Sequence, residues 1–263
     1  MAPPADKFKY ALKSNDAWAS YKGHQNESFF PTLAKGQAPE ILWLGCSDSR
    51  CPETTLLGLQ PGDVFTHRNI ANILSPTDLN FLSVLEYAVV HIKVKHIVLC
   101  GHTSCGGCVG ALSDSRIGGV LDAWLTPLKA VRAANQKELS AIQDDGERIK
   151  RLAELNVKQG VDVLMANYVV REAIEKRGLD VHGVLFNIGS GKIQDLGLGT
   201  DGELTQSKDG KISLTDGTEG QGKRESASAP VPEFEIVRGN HAMLVFNNDD
   251  TAVLTIAQRV ALS

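Results

Sequence analysis

Two apolar segments decide the fold class of this chain: Glu40-Ile41-Leu42-Trp43-Leu44-Gly45-Cys46 and His96-Ile97-Val98-Leu99-Cys100-Gly101. Each has the length of a buried strand, and the sequence between and after them is largely helix-forming. Two further strands are predicted at residues 64–67 and 181–186. Strands that alternate with helices pair in parallel, so we expect an α/β fold with a central, mainly parallel β-sheet flanked by helices.

The sequence also predicts helices in the segments around these strands. Residues 5–35 carry apolar side chains at helical spacing and predict an N-terminal helical arm. A helix is expected from Thr77, as its N-cap, to Ile92. Residues 119–178 are typical of helices, and Gly178 is expected to end the last one.

The composition changes after residue 199. Residues 200–232 are rich in Gly, Ser, Thr and Asp and predict an exposed polar loop that could hold a weak hairpin. Strand patterns return in 233–263, where a turn at Asn247-Asn248-Asp249-Asp250 predicts a C-terminal β-hairpin. We therefore expect one domain in 1–199, a loop or insertion in 200–232, and a β-rich extension of the same domain in 233–263.

Charge and composition exclude several classes of function. The 263 residues carry a net charge of −4, and their Lys and Arg residues form no basic stripe, so we expect no nucleic-acid partner. The apolar runs have the length of strands and the N-terminus has no apolar signal core, so we expect no membrane association. Five cysteines, an odd number, favour reduced thiols or metal ligands over disulfides and predict a cytoplasmic protein.

Three potential metal ligands follow the ends of predicted strands. Cys46 ends one strand, and His102 and Cys105 follow another. Ligands in parallel sheets bind at the carboxyl ends of the strands, so these side chains are expected to meet. Two thiolates and one imidazole suit Zn²⁺, and three ligands leave a fourth position open. Two alternatives stay open: buried thiols beside a hydrogen-bonded histidine, or a redox or zinc-binding pair formed by Cys105 and Cys108.

Asp48 and Arg50 follow Cys46 directly and could act on a water at this zinc. Two thiolates neutralise the metal, so its water should be less acidic than at a three-histidine site. An ionised Asp48 only accepts hydrogen bonds and could therefore orient that water. Arg50 could hold the carboxylate away from the metal, where Asp48 would otherwise be a fourth ligand in a closed state. By itself, an Asp-x-Arg sequence more often forms a surface ion pair.

Several separated motifs, in the same order, resemble the β-class carbonic anhydrases over about residues 5–199. They are Cys46-Ser47-Asp48-Ser49-Arg50, the segment 61–72, Glu86-Tyr87-Ala88-Val89 and the segment 101–107. The resemblance implies one Zn²⁺ per subunit, held by Cys46, His102 and Cys105, with Asp48 and Arg50 as the catalytic pair. It also implies reversible hydration of CO₂ to bicarbonate and a proton by attack of zinc-bound hydroxide.

The resemblance further assigns a substrate cleft to Gln37, Phe65, Tyr87 and Gly106. It implies a homodimer or homotetramer, because one of the two aromatic residues usually comes from a neighbouring subunit. Three other positions match a group that binds an inhibitory bicarbonate in some members: Trp43, Gly45 and Arg68. An aromatic hydroxyl associated with that pocket is replaced here by Phe186.

Other functions are compatible with the same ligands. Hydrolases of carbonyl sulfide or carbon disulfide resemble this family, and access to the cleft would distinguish them. A non-catalytic zinc or bicarbonate-sensing protein would keep Asp48 permanently on the metal. A nucleotide-binding α/β domain lacks support, because no G-x-G-x-x-G follows the first strand.

Overall fold

The computed structural model describes residues 6–200 and four strand segments beyond them. The helices are α1 (Lys7–Gln25), α2 (Phe29–Leu33), α3 (Glu53–Leu57), α4 (Leu79–Glu86), α5 (Gly106–Leu112), α6 (Gly119–Trp124), α7 (Thr126–Ala134), α8 (Gln136–Ala141), α9 (Asp145–Ala166) and α10 (Tyr168–Arg177). The strands are β1 (Ile41–Cys46), β2 (Val64–Asn69), β3 (His96–His102), β4 (Asp180–Asn187), β5 (Lys192–Gly199), β6 (Leu204–Gln206), β7 (Ile212–Leu214), β8 (Ala242–Phe246) and β9 (Ala252–Ile256).

The central sheet has five strands in the order β2-β1-β3-β4-β5. The first four are parallel, whereas β5 runs antiparallel to β4 at one edge. The expected α/β fold with a mainly parallel sheet is thus confirmed. Strand β5 was not predicted, because half of this edge strand is exposed and it has no apolar run.

The two faces of the sheet are packed differently. Leu42, Leu44, Ile97 and Leu99 lie on one face, in the core cluster that includes residues of α4, α9 and α10. The opposite face holds a smaller cluster of buried residues: Trp43, Cys51, Cys100, Val184 and Phe186. Helix α3 packs against that cluster through Leu56 and Leu57. Most of the apolar packing therefore lies on one side of the sheet.

The start of α4 differs from the sequence prediction. Its N-cap is Asp78, whose carboxylate accepts a hydrogen bond from the Asn80 N–H at 3.0 Å. The Thr77 hydroxyl instead pairs with the Ser75 hydroxyl. Thr77 was therefore the wrong cap, because an aspartate one residue later can bond the free N–H groups of the first turn. A π-helical turn, Tyr87–Ile92, continues α4.

The N-terminal arm is helical, as expected. No residue of α1 is buried, and Phe8, Tyr10 and Leu12 are exposed. Helix α1 contacts α2, where the rings of Trp18 and Phe30 meet edge to face with centroids 5.7 Å apart, and Lys22 Nζ donates to Gln60 Oε1 at 2.7 Å. The end of α10 at Gly178 is also confirmed, since this residue has the left-handed φ of 66° that favours glycine.

Asp122 in α6 binds the turn before that helix and Lys129 of α7. Its carboxylate accepts hydrogen bonds from the Gly118 N–H at 2.7 Å and the Ile117 N–H at 3.3 Å. The Lys129 ammonium lies 2.9 Å from the same carboxylate. Lys129 and the Gly118 N–H lower the pKa of Asp122 to about 2.

The C-terminal segments are described only as short strands. Strand β8 pairs antiparallel with β9, as expected for the C-terminal hairpin, and β6 pairs with β7. Apart from β6 and β7, the expected polar loop after residue 200 lies outside the described residues. The same is true of the part of the expected β-rich extension that precedes β8, and of the predicted turn at 247–250. Across the described parts of the chain, no helix combines the length and apolar character needed to cross a bilayer.

Candidate metal centre

Two neighbouring strands place the three predicted ligands at one edge of the sheet. Cys46 is the last residue of β1 and His102 is the last residue of β3, which lies next to β1. Cys105 follows three residues later and directly precedes α5. Their ligand atoms lie within 4.8 Å of one another and all three residues are buried. Strand β3 is one residue longer than predicted and includes His102, which was expected just beyond its end.

The imidazole of His102 is oriented for metal binding. Its Nδ1 lies 2.9 Å from the Thr103 carbonyl oxygen. A carbonyl oxygen only accepts, so Nδ1 carries the proton and the lone pair is left on Nε2. Nε2 is buried and has no hydrogen-bond partner. A buried polar atom without a partner costs free energy, and a metal ion between Nε2 and the two thiols would remove that cost.

The thiols also fit a cation. The neighbouring Cys105 and burial raise the pKa of Cys46 to about 12. Two adjacent thiolates repel each other and are poorly solvated at this depth, whereas a divalent cation between them favours loss of both protons. The donor set of two sulfurs and one imidazole nitrogen matches Zn²⁺.

The other three cysteines occupy different places. Cys108 is buried in α5 among apolar residues and does not belong to the group of converging ligand atoms. Among the described residues, Cys105 and Cys108 form no disulfide, and Cys108 joins no group of three or more converging ligands. Cys51 and Cys100 are buried in the small cluster on the other face of the sheet.

Asp48 and Arg50 form a planar, two-point ion pair beside the ligands. Arg50 Nε donates to Asp48 Oδ1 at 2.9 Å, and Arg50 Nη2 donates to Asp48 Oδ2 at 2.7 Å. Arg50 Nη2 also donates to the Ser104 carbonyl oxygen at 3.2 Å, which joins the loops after β1 and β3. Hydrogen bonds from Arg50 hold the pKa of Asp48 well below its usual range, against the effect of burial. The carboxylate is thus ionised, and it is not part of the group of converging ligand atoms.

Arg68 supports the same loop from the neighbouring strand β2. Its Nε donates to the Cys46 carbonyl oxygen at 2.9 Å and its Nη2 to the Asp48 carbonyl oxygen at 2.6 Å. Its Nη1 lies 3.6 Å from a carboxylate oxygen of Glu53. Arg68 therefore fixes the backbone on both sides of Ser47. Sequence reasoning did not find Glu53, because only the fold brings it to Arg68.

The beginning of α5 packs against a strained turn. Ala71 has a left-handed φ of 61°, and its carbonyl oxygen accepts a hydrogen bond from Asn156 Nδ2 at 2.8 Å. A Cβ added to Gly107 would lie 2.6 Å from the Cβ of Ala71, so only glycine fits there. Exposed Ile70 lies beside this contact. None of Ile70, Ala71 and Asn156 was identified as a site residue from sequence, because their roles depend on contacts between distant segments.

The substrate residues predicted by resemblance fall into two groups. Gly106 is the first residue of α5, next to the metal ligands. Phe65 pairs with Leu42 in the sheet, whereas Cys46 pairs with Asn69, so Phe65 lies four residues, or about 13 Å, back along the strands. The rings of Tyr87 and Phe65 have centroids 5.7 Å apart.

Gln37 belongs with the second group. It is exposed in the loop that precedes β1, so it lies at the edge of the sheet opposite the metal ligands. The sequence could have indicated this separation. Gln37 precedes the predicted strand that ends at Cys46, and Phe65 lies near the start of the predicted strand at 64–67. Within one chain, Gln37, Phe65 and Tyr87 are therefore remote from Cys46.

Known proteins with similar sequences and structures fit this architecture. A family model described as carbonic anhydrase matches residues 41–193. A carbonic anhydrase of Emericella nidulans is 46% identical over 194 residues, which are 73% of this chain and 85% of that protein. A carbonic anhydrase of Candida albicans is 40% identical over 183 residues, which are 69% of this chain and 65% of that protein.

Solved structures agree with the sequence relatives. A tetrameric β-carbonic anhydrase of Sordaria macrospora superposes with a TM-score of 0.73 at 68% identity, covering 74% of this chain and 98% of that one. The β-carbonic anhydrase CafA of Aspergillus fumigatus has a TM-score of 0.71 at 53% identity, covering 72% of this chain and 90% of that one. With its mainly parallel sheet and its Cys-His-Cys group at the strand ends, this chain belongs to the β-carbonic anhydrase family.

Proposed function

We propose that this chain is a zinc-dependent carbonic anhydrase that reversibly hydrates CO₂ to bicarbonate and a proton. The observation that carries the proposal is the buried group of Cys46, His102 and Cys105, whose unpartnered nitrogen and paired thiols fit Zn²⁺. Zinc, when bound, acts as a Lewis acid that makes water nucleophilic near neutral pH. Membership of the family makes CO₂ the expected substrate.

Asp48 orients the water that reacts. Its carboxylate is ionised and its two oxygens are held by Arg50 at 2.9 and 2.7 Å. It can therefore accept a hydrogen bond from water but cannot donate one, so the water presents a lone pair to CO₂. Arg50 is itself fixed by the Ser104 carbonyl oxygen, which keeps the carboxylate away from the three ligands.

Gly106 offers a donor to the oxygen that becomes negatively charged. It is the first residue of α5, so its N–H has no acceptor within the helix. A Cβ at this position would meet no atom within 4 Å, so the space beside it is open to a small substrate. In this proposal the N–H binds a bicarbonate oxygen.

The apolar part of the cleft comes from a second copy of the chain. Phe65 and Tyr87 lie about 13 Å from their own Cys46 along the strands, so one subunit cannot place them beside its own metal. Gln37 lies at the same remote edge. A homodimer, or a homotetramer built from such dimers, would bring these three residues of one subunit to the metal ligands of another.

Stopped-flow CO₂ hydration, with zinc determined on the same sample, tests the proposal. We expect at least one zinc per chain, and turnover that depends on the zinc held by Cys46, His102 and Cys105. Cys46→Ser should lose both zinc and turnover, whereas Cys108→Ser, a matched change of a buried thiol outside the ligand group, should keep both. Zinc-loaded protein without CO₂ hydration, or with release of H₂S from carbonyl sulfide instead, would overturn it.

A further inference from the structure

A second group of potential metal ligands lies at the other edge of the sheet. His96 begins β3, and Asp180 and His182 lie at the start of β4. His96 pairs with Asp180 in the parallel register, and His182 is two residues further along β4. Side chains two residues apart on a strand, and those of paired residues, share one face of the sheet, so all three point to the same side.

The distances among the three side chains match a metal site. His96 Nδ1 lies 3.3 Å from His182 Nε2 and 3.6 Å from Asp180 Oδ2, and all three ligand atoms lie within 4.8 Å of one another. In a tetrahedral site with bonds of about 2.05 Å, neighbouring ligand atoms are about 3.3 Å apart. The closest pair already has this spacing without rearrangement of the backbone.

The surroundings favour a cation. Asp180 supplies a carboxylate, and its other oxygen accepts a hydrogen bond from Thr200 Oγ1 at 3.4 Å, which orients it. The ammonium of Lys95, next to His96 in the chain, is paired with Glu40. Two imidazoles and one carboxylate suit first-row divalent ions such as Zn²⁺, Co²⁺ and Ni²⁺, and they leave positions open for water.

We infer that His96, Asp180 and His182 form a second site for a divalent transition-metal ion, separate from the cysteine-containing centre. The two groups are six residues apart on β3, or about 20 Å. An ion at this site joins β3 to β4 at the edge of the sheet remote from the cysteines of the same chain, so it stabilises the fold.

Cobalt binding to the zinc-loaded protein tests this inference. We expect a second equivalent of metal after dialysis against Co²⁺, with visible d–d absorption but without the near-ultraviolet charge-transfer bands of a cobalt thiolate. The thermal midpoint should rise with added Co²⁺. His96→Gln and His182→Ala should each weaken this binding by at least about tenfold, while the first equivalent of zinc is retained.

The matched control is His24→Ala, which removes an exposed histidine of α1. It should bind the second equivalent as the unmodified chain does. Circular dichroism of each variant checks that it folds, and His96→Gln preserves polarity and length where alanine would not. The inference is wrong if the unmodified chain binds one metal per subunit, if both histidine variants bind cobalt normally, or if the cobalt spectrum shows thiolate ligation.

Discussion

Replacing Gly107 by alanine tests how tightly α5 packs behind the metal ligands. The new Cβ would lie 2.6 Å from the Cβ of Ala71, about 1 Å closer than ordinary contact. Ala71 cannot easily move away, because Asn156 Nδ2 holds its carbonyl oxygen at 2.8 Å. Overpacking of this kind costs about 1–3 kcal/mol, whereas the higher helix propensity of alanine returns about 1 kcal/mol. We therefore expect a net loss of about 0–2 kcal/mol in the free energy of unfolding.

Gly106→Ala is the matched control for this variant. It lies in the same helical turn, but its added Cβ would meet no atom within 4 Å. Gly106→Ala should therefore gain up to about 1 kcal/mol from helix propensity alone. The difference between the two variants isolates the contact with Ala71. Urea denaturation followed by circular dichroism measures it, at one fixed protomer concentration because oligomer stability depends on concentration.

The double variant Ala71→Gly with Gly107→Ala decides whether that contact is the cause. Removing the methyl group of Ala71 removes the overlap, and glycine also tolerates the φ of 61° at this position. We expect a favourable coupling of about 1–2 kcal/mol between the two changes. Strictly additive effects, or equal stabilities of Gly106→Ala and Gly107→Ala, would refute the packing argument.

Three further predictions concern the catalytic pair, the shared cleft and acid stability. Arg50→Lys keeps the charge but loses the planar fork that holds both oxygens of Asp48. Zinc should therefore stay bound, while CO₂ turnover should fall at least about tenfold. Full turnover would show that Arg50 does not orient Asp48. Hybrids assembled from His102→Ala and Phe65→Ala chains should be more active than either parent, because a shared cleft leaves one site with both residues intact. Native mass spectrometry verifies that the hybrids form. Inactive hybrids would contradict a cleft shared between subunits. The lysine ammonium and backbone N–H groups around Asp122 lower its pKa to about 2. The contribution of the ionised carboxylate to the stability of the fold is therefore complete above pH ~4 and is lost as pH falls through ~2. The difference in thermal midpoint between the unmodified chain and Asp122→Asn should therefore be constant above pH ~5 and shrink between pH ~4 and ~2; a difference unchanged at pH ~2 would contradict it.

Local sequence patterns predicted much of the sheet. Strands β1 and β3 are apolar runs that bury nearly every side chain, and such runs are recognisable without knowledge of their partners. Strand β5 lacks that signal, because half of its residues are exposed and its pairing with β4 appears only in the fold. The N-cap of α4 was misplaced by one residue, because neighbouring Thr77 and Asp78 are both good caps.

Contacts between distant segments could not be predicted in the same way. Asn156 reaches the Ala71 carbonyl oxygen across 85 residues of sequence. Arg68 joins the backbone after β1 to Glu53. Neither partner has a pattern of its own, because a single polar side chain in a helix or strand is usually solvated. Such pairs become visible only when the packing of the elements is known.

The sequence by itself determined the alternation of strands and helices and the chemical character of the metal ligands. Both depend on local properties: the spacing of apolar residues and the identity of the side chains at strand ends. The tertiary structure decided which groups meet. The register of β1 and β2 separates Phe65 from Cys46, and that of β3 and β4 brings His96 to Asp180 and His182. Register depends on pairing between remote segments, whose alignment a local pattern does not specify.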